Sequence, residues 1–574
     1  MMGELLPLPV GYQIPDEYEL NGGGVFRVKW DVANDPKKLA IAKMAGKEIR
    51  EVDGLFEVKT LIPVTPAPVA PVRVFRDFDG NELLELAWLH TGQVVRRFFP
   101  REVVKDGRAL VKVAGAAGFP AISSSAVEVE KWLFAVETVN ELEIVTIARQ
   151  LGWQPDGTFV TGPGEPYRVV PVWNGLERAV LAHSPSGTLE EWQAIAEKVR
   201  DLPSAQMALY AALAAPLLSP LDLLSFLLHF TGLSSRGKTT SVQLGQSVWA
   251  SPRVDGGALG EWKGTRVALE RRLSLVAGLP VVFDETANVS HPNIIRDMIY
   301  TIPQGQEKPR GSLDGMRSSP VWSTVVLSTG EASLLSYVRE GGAAARVIEV
   351  AGAPFGAEGG RVAEEVRAGV ESVYGVAGPA YVAAVRAGLA DDGGLERLRA
   401  RHRELTKWFV TDGALARRRA PYVAVLRLAA EVARTAGVLP FDPPEPAVWQ
   451  ELFTYADSRD DRPGDALEAV WRWITSNPGR ILGKTWRDWD DPPPNGWAGV
   501  VRKKDGAVAL NQEEVARICE AAGFDVDAVK GAWAENGAIL RDGKDLCPKT
   551  RIGPKSSVPA VRRFVFVKPA EDGS

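Results

Sequence analysis

Gly232-Leu-Ser-Ser-Arg-Gly237-Lys238-Thr239 is a complete G-x-x-x-x-G-K-[ST] run, and its residue types are those of a phosphate-binding loop. The glycines let successive backbone N–H groups converge on phosphate oxygens, Lys238 adds a point charge, and Thr239 offers a hydroxyl to magnesium. Nucleotide contacts are expected from Gly232, Ser234, Ser235, Arg236, Gly237, Lys238, Thr239 and Thr240. Residues 279–285 then read Leu-Pro-Val-Val-Phe-Asp284-Glu285, an apolar run ending in two carboxylates. Asp284 would hold the magnesium through water, and Glu285 would orient and deprotonate an attacking water. A third apolar run, 323–331, ends Ser328-Thr329-Gly-Glu331, where ATPases with an additional strand keep a phosphate-sensing side chain. Ser328 and Thr329 are both candidates. Arg346 stands just ahead of a further apolar run, where an arginine could reach the phosphate of a neighbouring subunit. The chemistry this set suits is hydrolysis of a nucleoside triphosphate.

Two basic segments suit a polyanion. Between the acidic pair and the third run lies 304–317, which contains Lys308, Arg310 and Arg317 punctuated by glycines. Inserted there, it would project as a hairpin from the sheet and follow the backbone of a single strand of nucleic acid. Near the C-terminus every charged residue from 546 to 568 is basic, among them Lys549, Arg551 and Lys555. The order of elements around that segment is helix, turn, helix, hairpin, which is the order of a winged helix.

The elements that must position these residues follow from the pattern. The apolar stretch 221–230 before the phosphate loop reads as a buried strand, and the residues after Thr239 suit a helix. We divide the chain into an unassigned segment 1–53, a β-rich domain 54–200, a phosphate-loop domain 201–352, a helical subdomain 353–464 with breaks at Gly378-Pro379 and Gly393-Gly394, and a winged helix 465–574. Asp77 and Asp79 flank a turn in alternating sequence and are read as turn residues rather than metal ligands. The Arg417-Arg418-Arg419 cluster is read as a solvated basic turn.

Over 574 residues the net charge is −5, so nucleic-acid contact must come from local patches. Two cysteines and five scattered histidines give neither a disulfide framework nor a zinc site. No signal peptide is expected at the N-terminus, and 205–230 is broken by Pro216, Pro220 and Asp222, so it reads as core helix and strand rather than a membrane span. A cytoplasmic protein is expected.

Beyond these readings, several segments resemble a known family. They are 232–240, Ser247-Val-Trp249, Glu270, Phe283-Asp-Glu285, Tyr300 with 305–310, Leu327-Ser-Thr-Gly-Glu331, Arg149-Gln-Leu-Gly152-Trp153, Thr158-Phe-Val160 and 374–379. Together they resemble the ATPase module called domain of unknown function 927. Its relatives include replication helicases of staphylococcal cassette chromosomes and other mobile elements, similar in turn to superfamily III and minichromosome-maintenance-type helicases. The resemblance implies an α/β fold: an AAA+ phosphate-loop core with a β-rich N-terminal domain, an α-helical subdomain and a C-terminal winged helix. It also implies ATP and Mg2+ as cofactors and a homo-hexamer in which Arg346 is the arginine finger. At the first-sensor position, where those helicases usually carry Asn, this strand ends Ser328-Thr329. The function expected is that of an ATP-dependent hexameric DNA helicase of a mobile element, translocating on single-stranded DNA to support replication, with single-stranded and forked DNA as partners and replication proteins as possible further ones. The alternatives are an ATPase that loads or remodels replication proteins without processive unwinding, and a small-molecule kinase, which would need neither Arg346 nor the Lys308 hairpin.

Overall fold

Six residues, Phe226–Thr231, form a strand buried along its whole length, as near-continuous apolar sequence interrupted only by His229 and Thr231 suits when both faces of a parallel sheet are covered. The structure is a computed structural model. It describes residues 6, 8 and 11–567 except 165, 174, 307–310, 313–314, 317–320, 338–343, 357–358, 411–413, 459–461, 486, 523, 525, 544 and 553–558. The Phe226–Thr231 strand belongs to a five-stranded sheet in the order Leu259–Glu261, Val281–Asp284, Val325–Gly330, Phe226–Thr231, Val347–Ala351. All its pairings are parallel. In chain order the strands run 2-3-4-1-5, so Val325–Gly330 is the additional strand inserted between the phosphate-loop strand and the strand that ends in Asp284.

The helix Pro203–Ala214 is buried from Ala205 to Ala214, which explains why its sequence is apolar on every side rather than amphipathic. It packs against the helix Lys238–Ser247, which leaves the phosphate loop. Gly245 permits that contact, because a Cβ there would lie 2.6 Å from the carbonyl oxygen of Ala208. Only the second half of the strand expected over 221–230 is extended, since the chain turns through Ser219 to Asp222 first.

The described residues divide into two units, one of 1–149 with 166–170 and the other of 150–165 with 171–574. The first holds a four-stranded antiparallel sheet, Tyr18–Asn21, Gly24–Val32, Leu55–Thr65 and Ile49–Val52 in spatial order, and a five-stranded mixed sheet built on Val69–Arg76 and Glu82–His90. Its core gathers Trp88, Trp132, Phe99 and Leu110, with the Trp132 indole N–H donating to the Val69 carbonyl at 2.8 Å. Asp77 accepts from the backbone N–H groups of Asp79 and Asn81 at 3.0 and 2.8 Å, closing the hairpin turn as its position suggests.

Two expected boundaries move. Strand Leu55–Thr65 takes its hydrogen bonds from residues before 54, so no break falls at 53/54. Residues 150–165 and 171–200 fall in the second unit, where Leu151–Trp153 pairs with Val276–Ala277 and the Trp192 indole donates to Ser247. The break expected at Gly378-Pro379 is instead the first turn of the helix Ala377–Ala390, a position a proline tolerates because its missing N–H has no partner there.

The helices Gly360–Val370, Ala377–Ala390, Gly394–Phe409, Ala414–Thr435 and Pro446–Ser458 follow the sheet. Arg419, expected in a solvated turn, is inside the fourth of them and 5% exposed, while Arg417 and Arg418 are exposed. Beyond them, Arg462–Ser476, Gln512–Ala521 and Val526–Glu535 pack through Val470, Ile474, Val515 and Trp533 onto Phe564 and Phe566 of a five-stranded sheet. A hairpin of Gly499–Val501 and Val508–Asn511, which the turn-rich sequence did not reveal, precedes the second of these helices. No described helix is long and apolar enough to cross a membrane.

Candidate nucleotide site

The loop between Thr231 and Lys238 closes on a glycine required twice over. Gly237 has φ +83° at the helix N-terminus, and a Cβ there would meet the Phe355 ring at 2.6 Å. Lys238 is 6% exposed and donates to the carbonyls of Gly232 and Leu233, both at 2.8 Å. The Ser234 hydroxyl donates to the Glu331 carboxylate, and Ser234, Ser235, Arg236 and Thr239 are exposed.

Because the strands are parallel, their C-terminal ends bring three distant segments to this loop. The Thr239 hydroxyl lies 3.1 and 3.2 Å from the two Asp284 oxygens. The Thr329 hydroxyl donates to Asp284 at 2.5 Å and accepts from the backbone N–H of Glu285 at 2.9 Å. Burial pushes the Asp284 carboxyl above its ordinary range, the two threonine hydroxyls pull it back, and the neighbouring charges of Glu285 and Glu261 push it up again. Glu285 occupies a left-handed conformation, φ +55°, and its carboxylate accepts from Ala287 N–H at 3.1 Å. A non-glycine residue in that region carries backbone strain, which is characteristic of functional sites.

Of the two sensor candidates, Thr329 reaches the carboxylate. The other, Ser328, accepts from the Trp262 indole at 3.0 Å and lies 3.0 Å from His229 Nδ1 on the strand beside it. His229 Nε2 faces the Ala332 carbonyl at 3.1 Å and must donate to it, so Nδ1 is the acceptor and the Ser328 hydroxyl the donor. Burial lowers the His229 pKa to about 4, keeping the ring neutral. His229 and Trp262 carried no role in the sequence; their signal was only their place near the C-terminal ends of strands.

Arg346 sits at the other end of the sheet. Val347 is in register with Leu227 and Ala351 with Thr231, so Arg346 precedes its strand while the phosphate loop follows the neighbouring one. Six residues of strand at about 3.3 Å each separate them by roughly 20 Å. Arg346 therefore cannot serve the phosphate loop of its own chain.

Lys308, Arg310, Arg317 and Lys555 lie outside the described residues. The backbone of the segment expected as a hairpin does pair antiparallel, Gly311–Ser312 with Gly315–Met316 and Gln306 with Val321. Lys549 and Arg551 are exposed, whereas Arg562 pairs with Asp545 at 3.1 Å and Arg563 is buried against Asn511 and Thr550.

An ammonium held by carbonyls of its own loop can exchange them for phosphate oxygens, and the Thr239 hydroxyl beside a carboxylate is an oxygen set suited to a hard divalent cation. The residues present fit a nucleoside triphosphate with magnesium.

The chain shares its fold with a solved structure described as "SCCmec type IV Cch - active helicase", at 18% identity and a TM-score of 0.61 over 96% of this chain and 97% of that one. A second, described as the apo C-terminal region (305–718) of NrS-1, aligns at 12% identity and a TM-score of 0.26 over 66% of this chain and 90% of that one. No curated protein matches in sequence. Residues 53–320 match the family described as "Domain of unknown function (DUF927)".

Proposed function

We propose that this chain is an AAA+ ATPase that works as a hexameric DNA helicase for a mobile genetic element. One observation carries the reading: the 2-3-4-1-5 parallel sheet whose C-terminal ends gather Lys238, Thr239, Asp284, Glu285 and Thr329. The fold shared with a protein described as an active helicase supports it further.

Lys238 and the loop N–H groups would hold the phosphates of ATP, and Thr239 with Asp284 would hold a magnesium ion, whose chemistry there would be to neutralise phosphate charge. Glu285 orients the attacking water and takes its proton. Its carboxylate now accepts from Ala287 N–H and turns to the water when nucleotide is bound. Thr329 ties Asp284 to the backbone of Glu285, so a change at the phosphates is passed into the strand that leads to Glu331. Arg346, unable to reach its own loop, supplies its charge to the next subunit. The 304–317 segment and the C-terminal winged helix, with Lys549 and Arg551, hold DNA.

The test is ATP-dependent strand displacement on a forked DNA beside a Glu285→Gln control. Wild-type protein unwinds; the variant binds ATP and loses turnover by about 100-fold to 10,000-fold, the worth of a general base. Hydrolysis without displacement would replace the helicase with a loader or remodeller.

A further inference from the structure

The chain between the Val325–Gly330 and Val347–Ala351 strands is held near its start by one buried charged residue, Glu349, and near its end by another, Arg419. Glu349, 7% exposed in the second of these strands, accepts from the Ser333 hydroxyl at 3.0 and 2.8 Å and from the Leu334 N–H at 2.7 Å. Arg419, 5% exposed on the helix Ala414–Thr435, donates to the carbonyl of Ala344 at 3.4 Å, two residues before Arg346. The Arg419 charge also acts on Glu349, favouring its ionised form against the burial that pushes the carboxyl upward. Burying charged groups is a poor way to gain stability, and their best-attested use is to select one arrangement over others.

We propose that Glu349 and Arg419 are positioning residues for Arg346. Glu349 anchors the start of the connecting segment to the strand that Arg346 precedes. Arg419 anchors the end of that segment to the helical region. The position of the helical region in one subunit thereby governs whether Arg346 meets the phosphates bound by the next. This rests on Arg346 acting in trans. Misplacing a charged group by about 1 Å from its productive position is enough to cost roughly 100-fold in rate.

The experiment uses full-length protein, with Arg419→Gln, Arg419→Lys and Glu349→Gln compared by ATP turnover, ATP binding, oligomeric state and thermal unfolding. Arg419→Gln lowers kcat by about 100-fold with KM within about twofold. Arg419→Lys, which keeps the charge, restores part of the loss. Each glutamine variant is then mixed with Glu285→Gln subunits, whose own sites are dead but whose Arg346 is correctly held. Turnover rises above the sum of the two, as it does for a parallel mixture of Arg346→Ala with Glu285→Gln. If the Arg346→Ala mixture recovers and neither the Arg419→Gln nor the Glu349→Gln mixture does, the positioning role is wrong and the trans arginine stands. If the Arg346→Ala mixture fails to recover as well, the trans arginine is wrong and the proposal falls with it. Should Arg419→Gln fail to fold, the Glu349→Gln mixture decides alone.

Discussion

Thr329 is the residue on which the candidate site turns, because one hydroxyl serves two strands at once. It donates to Asp284 and accepts from the Glu285 N–H. Thr329→Val removes both bonds and leaves a backbone donor without its acceptor, a cost of about 1–3 kcal/mol where that donor is buried. We expect kcat for ATP to fall by at least about tenfold, and Thr329→Ser to retain most of it; the pair is read by steady-state kinetics. Asp284 makes a prediction of opposite sign for stability. Burial holds its pKa above the ordinary carboxylate value, so the nucleotide-free fold binds that proton more tightly than the unfolded chain does. Ionisation therefore withdraws stability as pH rises through the folded pKa, and withdraws none well below the ordinary value of about 3.9. Asp284→Asn should raise the thermal unfolding midpoint at pH 7 without nucleotide, with the gain shrinking toward pH 4, while abolishing hydrolysis. A variant less stable than wild type at pH 7 would show that the two threonine bonds outweigh the burial.

At the scale of elements, two helix glycines separate propensity from packing. Gly245 lies where a Cβ would come within 2.6 Å of the Ala208 carbonyl oxygen and 2.9 Å of Leu327 Cδ1. Gly388, in the helix Ala377–Ala390, has nothing within 4 Å of the same point. Alanine is favoured over glycine in a helix by about 1 kcal/mol, so Gly388→Ala should stabilise the helical region by up to that amount. Gly245→Ala should destabilise by about 1–3 kcal/mol despite the same propensity, because backbone must shift. Thermal unfolding of both variants measures the difference, and equal midpoints would mean that the Pro203–Ala214 contact yields freely. The strands needed no such arbitration. Phe226–Thr231 and Val325–Gly330 are apolar runs of strand length, legible as buried before any fold was known. The hairpin 499–511 was not legible, because its strands are three and four residues long amid glycine, proline and lysine.

Across the whole molecule, net charge −5 leaves nucleic-acid contact to local features. Within the C-terminal sheet the fold separates the basic residues: Arg562 and Arg563 are engaged with Asp545, Asn511 and Thr550, while Lys549 and Arg551 present to solvent. Replacing Lys549 and Arg551 together by alanine should weaken DNA binding and reduce the slope of log affinity against log salt by about 1.4–1.8, the worth of two phosphate contacts. Titrations at several salt concentrations check this, and an unchanged slope would take this strand out of the interface.

The G-x-x-x-x-G-K-T run, the Asp284-Glu285 pair and the apolar runs that lead to them were legible in the sequence alone, because each is a local pattern and the spacing between them adds to what each says singly. The choice between Ser328 and Thr329 was not. Neighbouring residues in a strand point to opposite sides, and only the pairing with the strands of His229 and Asp284 decided which side held the carboxylate. The domain boundaries were likewise tertiary, since the hydrogen bonds of Leu55–Thr65 and Leu151–Trp153 run to segments distant in the chain. The reach of Arg346 was tertiary too: parallel register puts it at the opposite end of the sheet from the phosphate loop of its own chain.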